Sequence, residues 1–295
     1  MGGRAGERAG AASAKLKTTL ALTASLLLTG CSLFGEDADP ALWVVKDADT
    51  TIYLFGTVHV LKPRMHWFDE GIEEAFEASD ELVLEIEPPK PEAMAALVQQ
   101  LGTRGGPPFD AHVQDAAASL GMAKGALDKQ EPWLAAMTLA QGAVVKAGFD
   151  SSHGAETVLA REAGYAGKPI HGLETAREQL MLFDGLSGAA QSAMLDATVR
   201  ELPETGKRIT RFVTAWGAGD AETVGAEMNR AAEASPEIAD VLLHRRNARW
   251  ADWVVRRMHQ PGTVFVAVGA GHLAGKGSVQ ALLGEKGLKV ERVAY

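Results

Sequence analysis

Apolar and polar positions fall into distinct blocks along this chain. Leu42–Lys46 (LWVVK) and residues 51–55 (TIYLF) are short β-rich runs joined by the polar, turn-prone DADT, so they predict a hairpin. In residues 68–79, Ile72, Ala75, Phe76 and Ser79 recur at helical spacing and predict an amphipathic helix. Residues 82–86 (LVLEI) predict a third strand, stopped by Pro88-Pro89. From residue 91 to about 131 the text is alanine-rich and helical, broken over residues 102–108. Residues 132–147 are apolar around much of the helix surface and predict a buried helix. Gly148-Phe149-Asp150 interrupts it before a further helix over 151–163. Residues 168–172 (KPIHG) predict a short strand. Glu174 is then expected to open the next helix, where an acid favours the helix dipole. Residues 187–235 are helical with a break at 217–220, and 238–259 form the longest helical pattern, ended by Pro261-Gly262. A second apolar run (264–272), a short helix (278–283) and a last strand (288–293) complete the chain. Strands cluster in the outer thirds and helices between them. The expected fold is α/β: a central mixed sheet built from N- and C-terminal strands, with a largely helical middle insertion forming a cap.

Two of the strand runs end alike. IYLFGTVH carries Gly56 and His59, and VFVAVGAGH carries Gly269 and His272, each as G-x-x-H. Ligands in open α/β sheets bind beyond the carboxyl ends of the strands, where both histidines would stand. Glycine suits the position because it lacks a Cβ and tolerates unusual backbone angles. One of Glu85 and Glu87 is expected to point inward from the third strand, and a buried carboxylate needs a cation. His59, Glu85 and His272 together make a common ligand set for a divalent transition metal with open positions for water and substrate. A metal so held makes hydroxide near neutral pH or polarises a carbonyl. The bland alternatives are satisfied histidines at strand–loop junctions and a carboxylate paired with an arginine. His171 and Glu174 form an H-x-x-E cluster, either a further wall of the site or support behind it. Arg246, beside Asn247 and Trp250, can bind a carboxylate through two parallel hydrogen bonds, or HRRNAR is simply a solvated basic face. His66 is a minor candidate, and His112, His153, His244 and His259 read as surface residues.

Composition narrows the class. The formal charge of −9 over 295 residues argues against a nucleic-acid binder. Cys31 is the single cysteine, so there is no intrachain disulfide and no cysteine-based zinc finger. Residues 1–30 read as a leader: Arg4, Arg8, Lys15 and Lys17 precede an apolar stretch, residues 18–29, too short to span a bilayer permanently. Leu28-Thr29-Gly30-Cys31 resembles the lipobox of bacterial lipoproteins. That resemblance implies cleavage before Cys31, lipidation of it, a tether over residues 31–41, and a domain from 42 to 295. Ser32 after the cysteine implies an envelope protein anchored in the outer membrane and facing the periplasm. Without its leader the chain has a formal charge of about −12, so only the lipid is expected to hold it to the membrane.

The order LWVVKDADTTIYLFGTVHVL, LVLEIE, KPIHGLETAREQL, HRRNARWADWV and FVAVGAGHLAG resembles the TraB/PrgY/GumN family, to which the TIKI proteins are related, over about residues 42–295. The resemblance implies a metal-dependent hydrolase of the erythromycin-esterase/ChaN-like superfamily, with manganese or cobalt as the usual metal and zinc or iron as alternatives. It implies His59, Glu85 and His272 as the metal set and Arg246 and Glu174 as catalytic candidates, Glu174 being the nominee for general base. Position 87, often aspartate in relatives, is glutamate here. The expected function is a lipid-anchored peptidase or related hydrolase acting on a peptide or small carbonyl-containing substrate. The alternatives are a lipoprotein that binds metal, haem or peptide without turnover, and an envelope protein in which the histidines serve only folding.

Overall fold

The computed structural model describes residues 36–233 and 235–295. The leader, Cys31 and the start of the tether lie outside the described residues. Among those described, no helix is long and apolar enough to cross a membrane.

The hairpin forms as its pattern predicts: β1 (Leu42–Lys46) and β2 (Thr50–Thr57) pair antiparallel, with Leu42 opposite Phe55. Asp47 accepts from the backbone N–H groups of Asp49 and Thr50 and so closes the turn. β2 then pairs in parallel with β5 (Gly262–Gly269), which places Thr57 opposite Gly269. β5 also pairs in parallel with β3 (Glu81–Ile86), and β3 with β4 (Ile170–Glu174). β6 (Val290–Arg292) closes the other edge against β1. The six-stranded mixed sheet therefore runs β4-β3-β5-β2-β1-β6. One edge strand, β4, comes from the middle of the chain, so the sheet draws on more than the two ends.

Side chains alternate across the strands and feed two cores. On one face Phe55, Leu82, Leu84 and Phe265 pack with Ile72 and Phe76 of α1 (Glu70–Glu77), Leu159 of α5 (Ala155–Ala166) and Trp216 of α8 (Thr205–Gly217). On the other, Ile52, Leu54, Val83, Val264 and Val266 pack with Trp250 and Val254 of α10 (Arg245–Arg257) and Leu283 of α11 (Val279–Glu285). The helical middle has a third core of its own. Val113 of α3 (Ala111–Ser119), Leu139 of α4 (Pro132–Lys146) and Leu195 and Val199 of α7 (Gly188–Glu201) meet there. This is the expected cap. It also contains α2 (Pro91–Gly102), α6 (Ala176–Asp184) and α9 (Ala221–Glu233).

Two boundaries differ from the pattern. Glu174 is the last residue of β4 and not a helix opener. Thr175 is the N-cap of α6 and, with Glu178, makes a capping box in which each side chain bonds the other's backbone N–H. The long pattern over 238–259 is not one regular helix. A helical turn (Pro236–Ala239) leads into a π-helical turn over Asp240–His244, and α10 begins at Arg245.

Candidate active site

The site is built where β2, β3 and β5 end, and a buried guanidinium stands at its centre. Arg246, on the sheet-facing stripe of α10, is 6% exposed. Its Nε donates to both oxygens of Glu174 at 3.1 Å, and one terminal nitrogen donates to Glu85 Oε2 at 2.6 Å. The other donates to the Leu242 carbonyl, carried by the π-helical turn, at 3.3 Å and lies 3.1 Å from His272 Nε2. The planar group also stacks over Trp250 at 4.5 Å. Arg249, half in solvent, adds a 2.6 Å bond to Glu174 Oε1.

Glu85, 7% exposed, has no spare oxygen. Oε1 accepts the Gly269 N–H at 2.8 Å, and Oε2 accepts Gln179 at 2.8 Å besides Arg246. Burial alone would raise its pKa, but Arg246, His272 and His59 outweigh that and hold the carboxyl at about 2. Glu87 lies past the end of β3 and is exposed, so Glu85 is the inward carboxylate. Glycine at 269 serves close approach: a Cβ there would stand 3.1 Å from Glu85 Oε1. Gly56 is similar, with a Cβ 3.0 Å from the Ala270 Cα. Neither glycine has positive φ, so proximity and not unusual backbone angle explains both.

His272 follows β5 in a 3₁₀ turn and is 5% exposed. Its Nδ1 lies 2.5 Å from Asn247 Oδ1, and Asn247 Nδ2 donates to the Gly277 carbonyl at 2.8 Å. This orientation puts the proton on Nδ1 and leaves the Nε2 lone pair to accept from Arg246. Burial is the main reason its pKa falls to about 4; Glu85 opposes that drop, and Arg246 adds to it. His272 is therefore neutral at pH 7.

His59 is in a different state. Its side chain is 75% exposed at the cavity edge, and Nδ1 lies 2.6 Å from Glu156 Oε1. The Glu156 charge and hydrogen bond raise the imidazole to about 9 against an opposing effect of burial. His59 is thus an imidazolium at neutral pH. Glu156 stands in the first turn of α5, and its position is fixed by tertiary contacts. Leu61 and Asp150 exchange backbone bonds at 3.2 and 3.0 Å, and Ala155 N–H donates to the Val58 carbonyl at 3.0 Å. Gly154 packs directly on the His59 backbone, and a Cβ there would lie 2.3 Å from the His59 carbonyl oxygen. Backbone cannot yield as a flexible side chain can. Gly154→Ala is therefore expected to destabilise the fold by about 2 kcal/mol or more, measured by denaturant unfolding. An unchanged midpoint would disprove the contact.

These groups form one end of a cavity of about 460 Å³. His59, Glu85, Arg246 and His272 lie at its sheet side, with Gln179. Its walls are apolar: Met137 of α4, Phe183 of α6, Ile209 and Phe212 of α8, Met228 of α9 and Leu242 of the π-helical turn are among them. A mostly apolar pocket with a few convergent polar groups is the usual form of a small-ligand site.

The structure brings His59, Glu85, Glu174, Arg246 and His272 into one place. It leaves His171 outside, exposed and 3.4 Å from Glu81, and His66 also outside, near Asp37. It adds Gln179, Asn247 and Glu156, none of which stands out as a site residue in the sequence. The expected metal set does not fit this arrangement. Arg246 donates to Glu85 Oε2 and faces the His272 lone pair, and His59 turns its Nδ1 towards Glu156. A fixed cation already holds the place that a metal would take. Among the described residues no group of three or more His, Cys, Asp or Glu side chains could hold a metal ion.

No solved structure matches the chain. It is 25% identical over 247 residues to the uncharacterized protein YbaP of Escherichia coli (strain K12), an alignment covering 83% of this chain and 92% of that one. It is 23% identical over 283 residues to an uncharacterized protein of Treponema pallidum (strain Nichols), covering 85% of each. The match to a family model is as extensive as the fold itself. It runs over residues 41–292, from the first strand of the hairpin to the last strand of the sheet and through every residue of the site, and the chain belongs to the TraB/PrgY/gumN family.

Proposed function

We propose that this chain is a hydrolase of carbonyl compounds, with peptides the favoured class, held at the cell envelope by lipid on Cys31. The observation that carries the reading is the unengaged face of His59. Its Nδ1 is bound to Glu156 while Nε2 has no partner among the described residues, and the ring lines the cavity. As an imidazolium, His59 can donate from Nε2 to a carbonyl oxygen as charge develops there, or to the departing amine or alkoxide. Arg246, Glu85, Glu174 and His272 supply a fixed electrostatic floor, and Arg246 helps to hold Glu85 ionised in a buried setting. The apolar walls suit a substrate with a large apolar side chain beside the scissile bond and keep bulk water away.

The metal-dependent form of this reading needs Arg246 to leave Glu85 and His272 and needs His59 to lose its proton. Metal analysis of the purified protein is expected to give well under one equivalent of manganese, cobalt, zinc or iron. One full equivalent, lost in folded His59→Ala and His272→Ala, would establish the three-residue ligand set instead.

Activity is tested by digesting a peptide library and a panel of p-nitrophenyl esters with the purified protein. Turnover is expected, reduced at least about 100-fold in folded His59→Ala, the scale of one lost acid–base group. A second reading, a peptide carrier, is favoured by the full engagement of Glu85 and Glu174, which leaves neither of them free to act as a base. Tight peptide binding with no product from the wild type would decide for the carrier.

A further inference from the structure

We infer that Glu156 is the positioning residue of His59, forming with it a carboxylate–imidazole dyad that aims the opposite ring nitrogen into the cavity. The role rests on the hydrolase reading for its purpose, but the dyad itself is testable without any substrate.

Three observations carry it. First, one carboxylate oxygen receives the last side chain of β2 and the histidine two residues beyond it. Glu156 Oε1 accepts Thr57 Oγ1 at 2.6 Å and lies 2.6 Å from His59 Nδ1. Thr57 and His59 flank Val58, whose carbonyl accepts the Ala155 N–H, so loop and helix start are joined at three points. Second, Glu156 Oε2 is buried with no hydrogen-bond partner among the described residues. The two donors therefore converge on one oxygen, Oε1, which fixes the carboxylate relative to the ring. Third, the histidine so held is largely exposed, and its exposure is to the cavity. An exposed imidazole without a partner would sample several rotamers. A charge-assisted bond at Nδ1 removes that freedom and leaves Nε2 as the only ring nitrogen open to a substrate. The arrangement is that of a histidine oriented by a third group, here reached from a helix almost a hundred residues away.

The test is nuclear magnetic resonance of the full-length protein labelled with ¹⁵N-histidine. The ring nitrogens are read through the carbon-bound ring protons, which do not exchange with solvent, and His59→Asn assigns the signals. The wild type is expected to show His59 with distinct Nδ1 and Nε2 shifts, Nδ1 displaced by its bond to a carboxylate. In Glu156→Gln and Glu156→Ala the two shifts are expected to move towards those of a freely exchanging histidine. Circular dichroism and thermal melting confirm that at least the near-isosteric Gln variant is folded. Unchanged His59 shifts in a folded variant, even with a lowered melting temperature, would overturn the proposal and leave Glu156 a structural residue. Shifts that move as expected in a protein that hydrolyses nothing would keep the dyad and remove the hydrolase reading.

Discussion

Arg246→Met is expected to lower stability at pH 7 by about 3–5 kcal/mol, the range seen when one partner of a buried ion pair is removed. The substitution keeps much of the side-chain volume and the packing on Trp250, so the effect isolates the charge. Glu85 and Glu174 are both buried and both bonded to this guanidinium; Glu85 would lose its arginine partner, and Glu174 would keep only the half-exposed Arg249. For a domain of this size the loss corresponds to a drop in Tm of roughly 10 °C or more. The deficit is expected to shrink as pH falls, because protonating Glu85, no longer held down by Arg246, relieves it. Arg246→Lys should be intermediate, since an ammonium restores charge without the fork that reaches Glu85, Glu174 and His272 together. Arg249→Ala, which removes a half-exposed partner of the same Glu174, should cost less than about 1 kcal/mol. Denaturant unfolding of the four proteins at pH 5 and pH 7 measures all of this. An Arg246→Met midpoint within error of wild type would mean that the guanidinium does not hold the floor.

Stability is expected to fall on the acid side well before ordinary carboxylates titrate. His272 has a folded-state pKa of about 4 against 6.5 for the unfolded chain. Between those values the unfolded state binds the extra proton, so stability declines as pH drops from 6.5 to 4 and the loss is complete below that. The difference corresponds to about 3 kcal/mol. Glu85 extends the decline: its carboxyl, at about 2 in the fold, contributes stability that is present above 4.5 and lost as pH falls towards 2. His59 has the opposite sign. With a folded-state pKa of about 9, its contribution is present below 6.5 and lost as pH rises through 9. Unfolding free energies from pH 4 to 7 should therefore slope steeply in the wild type and clearly less in His272→Asn. Parallel slopes would place the acid sensitivity elsewhere.

Much of this site was legible because it hangs on strands. Two apolar runs with the same G-x-x-H ending became adjacent parallel strands in near-equal register, which is why histidines more than two hundred residues apart line one cavity. Glu85 was legible for the same reason. Spacing gives ligand types, but it does not say that Arg246 will stand among them. A signal for Arg246 was present in the sequence. It shares a helical stripe with Trp250 and Val254, the buried face of α10, so Arg246 could be separated from the exposed arginines of HRRNAR. Thr175-x-x-Glu178 likewise marked the true helix start and so the strand-end position of Glu174. Glu156 had no such signal. An acid in a first helical turn is commonplace, and its partner is chosen by the Leu61–Asp150 bridge. The π-helical turn was equally hidden, because one inserted residue leaves an apolar helical pattern almost unchanged.

The cavity divides its labour between two parts of the chain. Its polar end is fixed by strand termini and by a charge network in which nearly every donor and acceptor is used. Its walls are single apolar side chains on helices, Met137 on α4, Phe183 on α6 and Phe212 on α8. Exchanging Met137, Phe183 or Phe212 for another apolar residue alters the shape offered to a substrate without disturbing a charge. In evolutionary terms the two parts can change at different rates. Selection for a new substrate can act on the walls alone, while the floor tolerates little, so divergent descendants of one ancestor would share their chemistry long after they ceased to share a target.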